Sequence, residues 1–539
     1  MFFWGKFLHF GYCLNSDFLI LLCRYLTSGF TASKCILIYF AAWRERRKTM
    51  GLKILYGILI ALGIFIVITL IRAIFFVPKK RETKPLEKEN VDVERVAKHL
   101  SGAIQIPTIS YPEKDKVDWS QFEKFHKFLE ESYPLLHKTL EREDIAEASL
   151  LYRWKGKNPD LEPIALLSHQ DVVPIEPGTE GDWTHEPFSG YNDGEFIWGR
   201  GALDMKNHLI CVMEAVETLL EEGYEPERDV YLCFGHDEEV VAAKDAGAKA
   251  IMETLKSRGI HLDSVIDEGG AILPVNVKHV LKGNLAGVGI AEKGYADFSM
   301  SVRAKGGHSS QPPKHSAIGK IADVVKDVEN HQFKSKLEPF VLKLFSNLGR
   351  RTTYPVRVVA CNLWLLKPLA KFIMEQIPPT ASLIRTTTGV TMAEGSPVAN
   401  VLPQEASVTA NFRMMPGTTT EDVEKHLRKV IKNKDVEIKC LKHKEASKFS
   451  STDSRAFKVI EEICVRADPE VIVAPYLVMG GTDACFYEPI CDNIYRFAPF
   501  HVRTKLLLCT HATDERCPVA VLDEGVSFFK RYIRMLTKD

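Results

Sequence analysis

Three things are scarce in this chain of 539 residues, and each scarcity removes a class of function. There is no surplus of charge, since 70 Lys+Arg balance 70 Asp+Glu. Without a basic excess or a recognisable RNA- or DNA-binding motif, nucleic acid is not an expected partner. The 12 cysteines are too few and too irregularly spaced for a disulfide scaffold. None forms a Cys-x-x-Cys pair, which argues against cysteine-ligated zinc. No Asn-x-Ser/Thr sequon occurs, which weakens a lumenal placement without excluding it. What remains is ordinary globular composition, 45% hydrophobic and 26% charged, long enough for two or three domains of about 100–200 residues each.

The N-terminus differs in kind. Ile54 to Ile71 is a run of 18 uncharged, mostly aliphatic residues, interrupted by Arg72 before Ala73–Val77. That length reaches the lower bound of a membrane-spanning helix and exceeds a signal-peptide core of about 7–15 residues. An uncleaved signal anchor over 50–77 is expected, with a cleaved signal peptide as the second reading. Met50-Gly51-Leu52-Lys53 resembles a translation start, so residues 1–49 are expected to be an extension of the gene model. Arg44, Arg46, Arg47 and Lys48 on one side compete with Lys79, Lys80 and Arg81 on the other, which leaves orientation open. Residues 78–92 are polar and aperiodic, the character of a linker.

From Val93 onward, strand-like and helix-like segments alternate. Glu162–Leu167, Asp229–Phe234 and Ser264–Ile266 read as short buried strands. Between them, Lys206–Gly223 carries Leu209, Ile210, Met213, Val216, Leu219 and Leu220 at helical spacing. Alternation of this kind predicts an α/β domain with a mixed, mainly parallel sheet and helices on both faces. Near Gly294 the pattern changes to alternating strands such as Phe298–Arg303 and Val408–Arg413 with two amphipathic helices. The expected organisation is therefore a catalytic domain over 93–293 and 443–539, interrupted by a smaller α+β lid or dimerisation domain over 294–442. Within the latter, Phe333–Arg385 is an apolar, basic insert with nine Lys/Arg against two Glu. It is expected to cover a long apolar group, to rest on a membrane surface, or simply to enlarge this domain with a small core of its own.

Candidate chemistry sits where the strands end, the usual location in open α/β sheets. His169-Gln170-Asp171 pairs an imidazole with a carboxylate able to hold its second nitrogen. Asp204 follows the glycine-rich turn Gly199–Leu203, and a carboxylate there can bridge two cations. Glu238-Glu239 places like charges side by side after an apolar strand, which demands a cation or a shared proton. One of the pair binding metal and the other acting as general base satisfies that demand. Asp267-Glu268 ends the next strand, and His511 lies in Thr510–Glu515. Each segment alone has a bland alternative, such as a solvated loop or a helix cap.

Taken together, His169-x-Asp171, Gly-Arg-Gly-x-x-Asp204, Gly-His-Asp-Glu238-Glu239, Asp267-Glu268-Gly-Gly, Gly307-His308-Ser-Ser-Gln-Pro-Pro and His511-x-x-Asp-Glu resemble a co-catalytic zinc peptidase and aminoacylase family. Glu292-Lys293-Gly294, Ile384–Thr388 and Ile494–Phe497 resemble its branch of carboxypeptidase S and N-fatty-acyl-amino-acid synthase/hydrolases. The resemblance implies two zinc ions bridged by Asp204. One would also take His169 and Asp267 (with Glu268 as alternate), and the other Glu239 and His511. It implies Glu238 as base, Asp171 as the partner of His169, and His308 as an oxyanion donor reaching across a homodimer. Arg413, Asn400, Gly481 and Thr482 would contact substrate. The implied substrate is an N-acyl amino acid, with peptide carboxy-terminal residues as the alternative. A catalytically inactive, membrane-anchored binding protein is the competing class. The chain departs from the family's small Ser/Gly turn after Glu239, having Val240–Asp245 instead, which puts substrate preference in doubt more than metal binding.

Overall fold

The computed structural model describes residues 32–78, 84–240, 247–278 and 280–538, divided into two compact units, Met1–Phe76 and Val77–Asp539. Residues 1–31 of the expected extension, 79–83 of the linker, and Val241–Asp245 after the glutamate pair lie outside the described residues. In the first unit one helix runs from Ala32 to Phe75. Its segment Trp43–Phe75 is long and apolar enough to cross a membrane, with a mean hydropathy of 2.9 over its most apolar 18 residues. The apolar run is therefore the continuation of a helix that already begins before Met50.

The second unit is built on a nine-stranded sheet. Its order is β1 (Glu141–Ile145), β2 (Ser149–Trp154), β5 (Val230–Gly235), β3 (Ile164–His169), β6 (Ser264–Asp267), β16 (Ile494–Arg496), β8 (Leu281–Glu292) and β15 (Ile472–Val478), with β7 (Ala271–Val277) also paired to β8. The centre, β5-β3-β6-β16, is parallel. Antiparallel strands extend it on both sides.

Period-two geometry explains why the central strands are apolar throughout. Ile164 and Leu166 of β3 point into one core, together with Leu232 and Ile266. Ala165 and Leu167 point into another, with Tyr231, Cys233 and Val265. Helices Val93–Ile104, Lys206–Glu221 and Ala520–Leu536 cover the first face. Helix Gly247–Ser257 covers the second. The parallel strands all end on one side of the sheet, and the candidate residues follow those ends.

A separate four-stranded antiparallel sheet has the order β11 (Thr387–Glu394), β13 (Glu405–Met414), β9 (Gly294–Arg303), β14 (Glu437–Lys444). Its inward residues Phe298, Met300, Val408 and Phe412 form their own core under helices Ala317–Asn330 and Thr420–Val430. The second helix starts with a capping box between Thr419 and Asp422. Two small ribbons complete the unit: β10 (Gly307–His308) with β12 (Val401–Leu402), and β4 (Phe196–Trp198) with β17 (Arg516–Pro518).

The insert behaves differently from the expectation that it belongs to the lid. Helix Pro339–Gly349 turns Phe340, Val341 and Leu344 into the core of the nine-stranded sheet. There Asn347 Nδ2 donates to the carbonyl of Val473 on β15 at 2.9 Å. This helix of the insert packs onto the catalytic sheet, while Phe333 at the insert's start packs against Phe412 and His426 of the smaller domain.

Candidate metal centre

His169 is the last residue of β3 and is 1% exposed. Its Nδ1 lies 3.0 Å from the backbone oxygen of Asp171 and 3.4 Å from that residue's Oδ1. An Nδ1–H donating there leaves Nε2 as the coordinating atom. Nε2 faces three carboxylates: Asp204 Oδ1 at 3.2 Å, Glu268 Oε1 at 3.6 Å and Glu238 Oε2 at 3.9 Å. Asp204 presents its other oxygen, Oδ2, to His511 Nε2 at 3.1 Å, and the same nitrogen lies 3.0 Å from Glu239 Oε1. One carboxylate therefore spans two histidines, each with its own glutamate alongside.

Two buried acids hold this arrangement in place. Asp171 Oδ1 and Oδ2 accept from the backbone amides of Glu238 and Glu239 at 3.2 and 3.1 Å. Asp171 thus fixes His169 and the glutamate pair together. Glu515, fully buried, accepts from the amides of Leu203 and Asp204 at 2.9 and 3.1 Å. Its other oxygen pairs with Arg200 Nη1 at 2.6 Å. The turn carrying Asp204 requires glycine at Gly199, where φ is +142° and a Cβ would fall 2.5 Å from Ile104 and 2.7 Å from the Pro187 carbonyl.

The electrostatics describe a site built for cations. Burial pushes Glu238 well above the usual carboxylate range, opposed by His169 and reinforced by Glu268. Burial together with the charge of Asp204 lifts Glu268 to about 8. Burial lowers the His169 pKa, but its bonds to Asp171, Asp204 and Glu268 outweigh that and hold it well above normal. Bonds to Asp204 and Glu239 raise His511 to about 10. Imidazolium protons here take the place of the positive charge that crowded carboxylates need. Side chains of His169, Asp204 and Glu239, and of His169, Glu238 and Glu268, each bring ligand atoms within 4.8 Å of one another. An N/O donor set of this kind suits zinc.

Of the two carboxylates expected at the fourth segment, Glu268 is the one beside His169 Nε2, and Asp267 bonds elsewhere. Asp267 Oδ2 accepts from the Ala484 amide at 2.9 Å, whereas Glu268 Oε1 lies 3.6 Å from His169 Nε2. The lid residues stand apart from the cluster. His308 is exposed on β10, where its Nδ1 accepts from the Ser310 amide at 3.1 Å. Asn400 is exposed beside it, its carbonyl accepting from Ser309 at 3.1 Å. Among the described residues no hydrogen bond or ion pair joins either one to the cluster. Arg413 stacks 4.9 Å over the Tyr295 ring. The Thr482 amide is engaged by Glu292 Oε2 at 2.5 Å, and Glu292 is itself paired with buried Arg496 at 3.1 Å. Gly481 lies against Lys444, where a Cβ would sit 2.9 Å from Nζ.

Four residues that matter had no individual role in the sequence. Glu515 and Arg200 were visible only as parts of motifs. Lys293 and Arg385 carried no signal beyond the branch resemblance. Lys293, 2% exposed, joins β8 to β9 and donates to the carbonyls of Ser382 and Arg385 at 2.8 and 2.9 Å. Beside the cluster, a cavity of about 380 Å³ is lined by Asp204 and Glu268 at its polar end. Leu273, Leu285, Tyr476, Phe500, Val502 and Leu507 line the rest.

Comparison with known proteins agrees with this layout. The model of peptidase family M20/M25/M40 matches residues 165–535. The chain belongs to that family. It is 36% identical over 496 residues to a probable carboxypeptidase S-like protein of Dictyostelium discoideum, covering 90% of this chain and 94% of the relative. It is 33% identical to the Mus musculus N-fatty-acyl-amino acid synthase/hydrolase, covering 86% and 94%. In fold, this M20 member resembles an M20 metallo-carboxypeptidase from Sulfolobus solfataricus, with a TM-score of 0.59 and 17% identity over 82% of this chain and 98% of that one. It is a metallo-hydrolase with amidohydrolase or carboxypeptidase chemistry.

Proposed function

We propose that this chain hydrolyses, and under excess amine and acyl donor forms, the amide bond of N-acyl amino acids with long apolar acyl groups. The observation that carries the reading is the cavity that shares Asp204 and Glu268 with the donor cluster and is otherwise mostly apolar, with Asn207 and Thr510 as its other polar side chains. Its volume lies within the range of about 300–1,000 Å³ for small-molecule sites.

His169, Asp204 and Glu268 would hold one zinc ion, and Glu239 and His511 with Asp204 a second. Bound zinc supplies Lewis acidity to the amide carbonyl and lowers the pKa of a water towards about 7. Glu238, left over from both sets, takes a proton from the attacking water as its oxygen adds to the carbonyl. Burial favours the protonated form of Glu238, which suits a group that must hold the proton until it is passed to the leaving nitrogen. Asp171 keeps Glu238 aimed through the backbone. Arg413, with Lys293 and Arg385 close to it, offers the positive charge a free carboxylate requires.

His308 belongs to the substrate side of the reaction. With Nδ1 accepting from Ser310, Nε2 carries the hydrogen able to meet a developing oxyanion, and a homodimer would bring it to a partner's cluster. Trp43–Phe75 serves as a membrane anchor with the catalytic unit outside the cytoplasm, or as a signal segment if cleaved.

The test is a substrate panel on the zinc-loaded protein, comparing N-oleoyl amino acids, N-acetyl amino acids and dipeptides by mass spectrometry. Preference for the long acyl chain is expected. Faster cleavage of dipeptides would replace this reading with the carboxypeptidase one, which the carboxypeptidase S relatives support. Glu238→Gln should lower kcat by about 10²–10⁴-fold with bound metal unchanged, and retained turnover would remove Glu238 from the mechanism.

A further inference from the structure

Glycine weakens a strand, so one in the interior of a sheet calls for a reason. β8 carries glycine at 287 and again at 289. Gly289 is demanded by its neighbours, because a Cβ there would fall 2.6 Å from Val478 Cγ2 and 2.9 Å from Arg496 Cβ. Gly287 is not. A Cβ on it would meet only Tyr476, at 3.8 and 3.9 Å, which is ordinary van der Waals contact. Its backbone is that of a paired strand, with Ala271 of β7 on one side and Ala474 of β15 on the other. Packing and conformation therefore both leave room for a side chain that the sequence does not supply.

That room belongs to the cavity beside the donor cluster, which Gly287 lines. Side chains alternate across a strand. Ala286 and Val288 turn into the core of the catalytic sheet, while Leu285 and Gly287 line the cavity together with their β7 partners Leu273 and Ala271. The cavity floor is thus laid in two cross-strand pairs. Ala271 faces Gly287, and Leu273 faces Leu285 about 7 Å further on, at ~3.4 Å per residue. The small pair is the one nearer in the chain to Glu268, which precedes Ala271 by three residues.

Charge decides which half of a substrate enters. The free carboxylate of an N-acyl amino acid needs a cation when it is taken out of water. Among the described residues lining this cavity there is no Lys, Arg or His. Arg413, Lys293 and Arg385 all lie outside its lining, so the carboxylate-bearing half has its partners elsewhere and the acyl half fits here.

We propose that the acyl chain of the substrate runs over Gly287 and Ala271, and that the side chain missing at 287 sets how long an acyl chain the protein accepts. The inference rests on the N-acyl amino acid reading above. It adds the path of the chain, away from Glu268 along β7 and β8, and the residue that admits it.

The experiment compares the zinc-loaded full chain with its Gly287→Ala, Gly287→Val and Ala271→Val variants. Substrates are N-acetyl-, N-octanoyl- and N-oleoyl-phenylalanine, N-oleoyl-glycine and a dipeptide, with kcat/KM read for each and metal content and Tm for each protein. Gly287→Ala adds one carbon where the nearest atom is 3.8 Å away, so it keeps the fold and the series informative. The N-oleoyl to N-acetyl ratio is expected to fall stepwise from glycine to alanine to valine, by about tenfold or more at valine, the scale of methylene-sized changes in an apolar pocket. Ala271→Val should repeat the loss from the facing strand, and the ratio of N-oleoyl-phenylalanine to N-oleoyl-glycine should hold. An acyl-length ratio that stays constant through the folded variants would overturn the proposal. So would a shift in the phenylalanine-to-glycine ratio in its place, which would give the cavity to the amino-acid side chain. Faster cleavage of the dipeptide by the unsubstituted chain is a different failure: it would remove the N-acyl reading, and this inference with it.

Discussion

His169 is sealed in the interior with both ring nitrogens engaged, whereas the exposed His308 ring bonds, among the described residues, to Ser310 alone. The two histidines represent two halves of one chemistry. The donor side is finished within a single chain, because its parts follow the ends of parallel strands in one sheet and buried acids pin the turns between them. The lid side rests on a separate sheet with a separate core, joined to the first through the short step from Glu292 over Lys293 to Gly294. The donor cluster follows the ends of strands in one core, and the groups proposed to recognise substrate stand on a body with its own packing. In such a molecule, stability and turnover should respond to different residues.

Four measurements would break or sharpen that contrast. The largest effect is expected from Glu515→Ala, which leaves buried Arg200 without its partner and frees the Asp204 turn. Loss of about 3–5 kcal/mol is expected for removing one member of a buried pair, read by chemical denaturation; a change under about 1 kcal/mol would deny Glu515 its anchoring role. His308→Ala should lower kcat by about 10²–10³-fold while leaving Tm and metal content alone. Mixing it with the Glu238→Gln chain should restore part of the activity if His308 acts across a dimer, and no recovery would confine it to its own chain. Asp171→Asn should weaken metal binding by about 10–100-fold, seen by chelator competition, whereas Asp267→Asn should leave it nearly unchanged because that carboxylate is turned to Ala484.

The smallest expected effect lies at the joint. Burial, together with the charges of Arg413 and Arg385, lowers the Lys293 pKa to about 7 from its ordinary 10.5. Between those values the unfolded chain binds one more proton than the folded one, so this group makes stability rise with pH from about 7 to 10.5 and fall as pH drops through that window. Lys293→Met should flatten the rise, by up to about 1.4 kcal/mol per pH unit, in melts taken from pH 7 to 9. An unchanged slope would show that the joint is open to solvent.

Much of this architecture was legible because buried parallel strands are short and apolar on both faces, so β3, β5 and β6 stood out and the residues after them drew attention. What was missed follows from the same geometry. Asp267 and Glu268 are neighbours, and successive residues at a strand end point to opposite sides; the sequence ranks neither. Glu515 acts on Arg200 and on the amides of Leu203 and Asp204, more than 310 positions away, and pairings that long leave no periodicity to read. For Pro339–Gly349, helical spacing revealed which side chains are buried without revealing which sheet buries them.

His511 reaches Glu239 across 272 positions, and Glu515 reaches Leu203 across 312. Contacts so distant along the chain close late in folding, after the entropy of the intervening loop has been spent. During vectorial synthesis the early strands can pair while the late histidine is still unmade, and the carboxylates then face each other without it. On the proposed ligand assignment, acquisition of metal would report on completion of the chain, because a nascent or truncated copy carries the acids without His511.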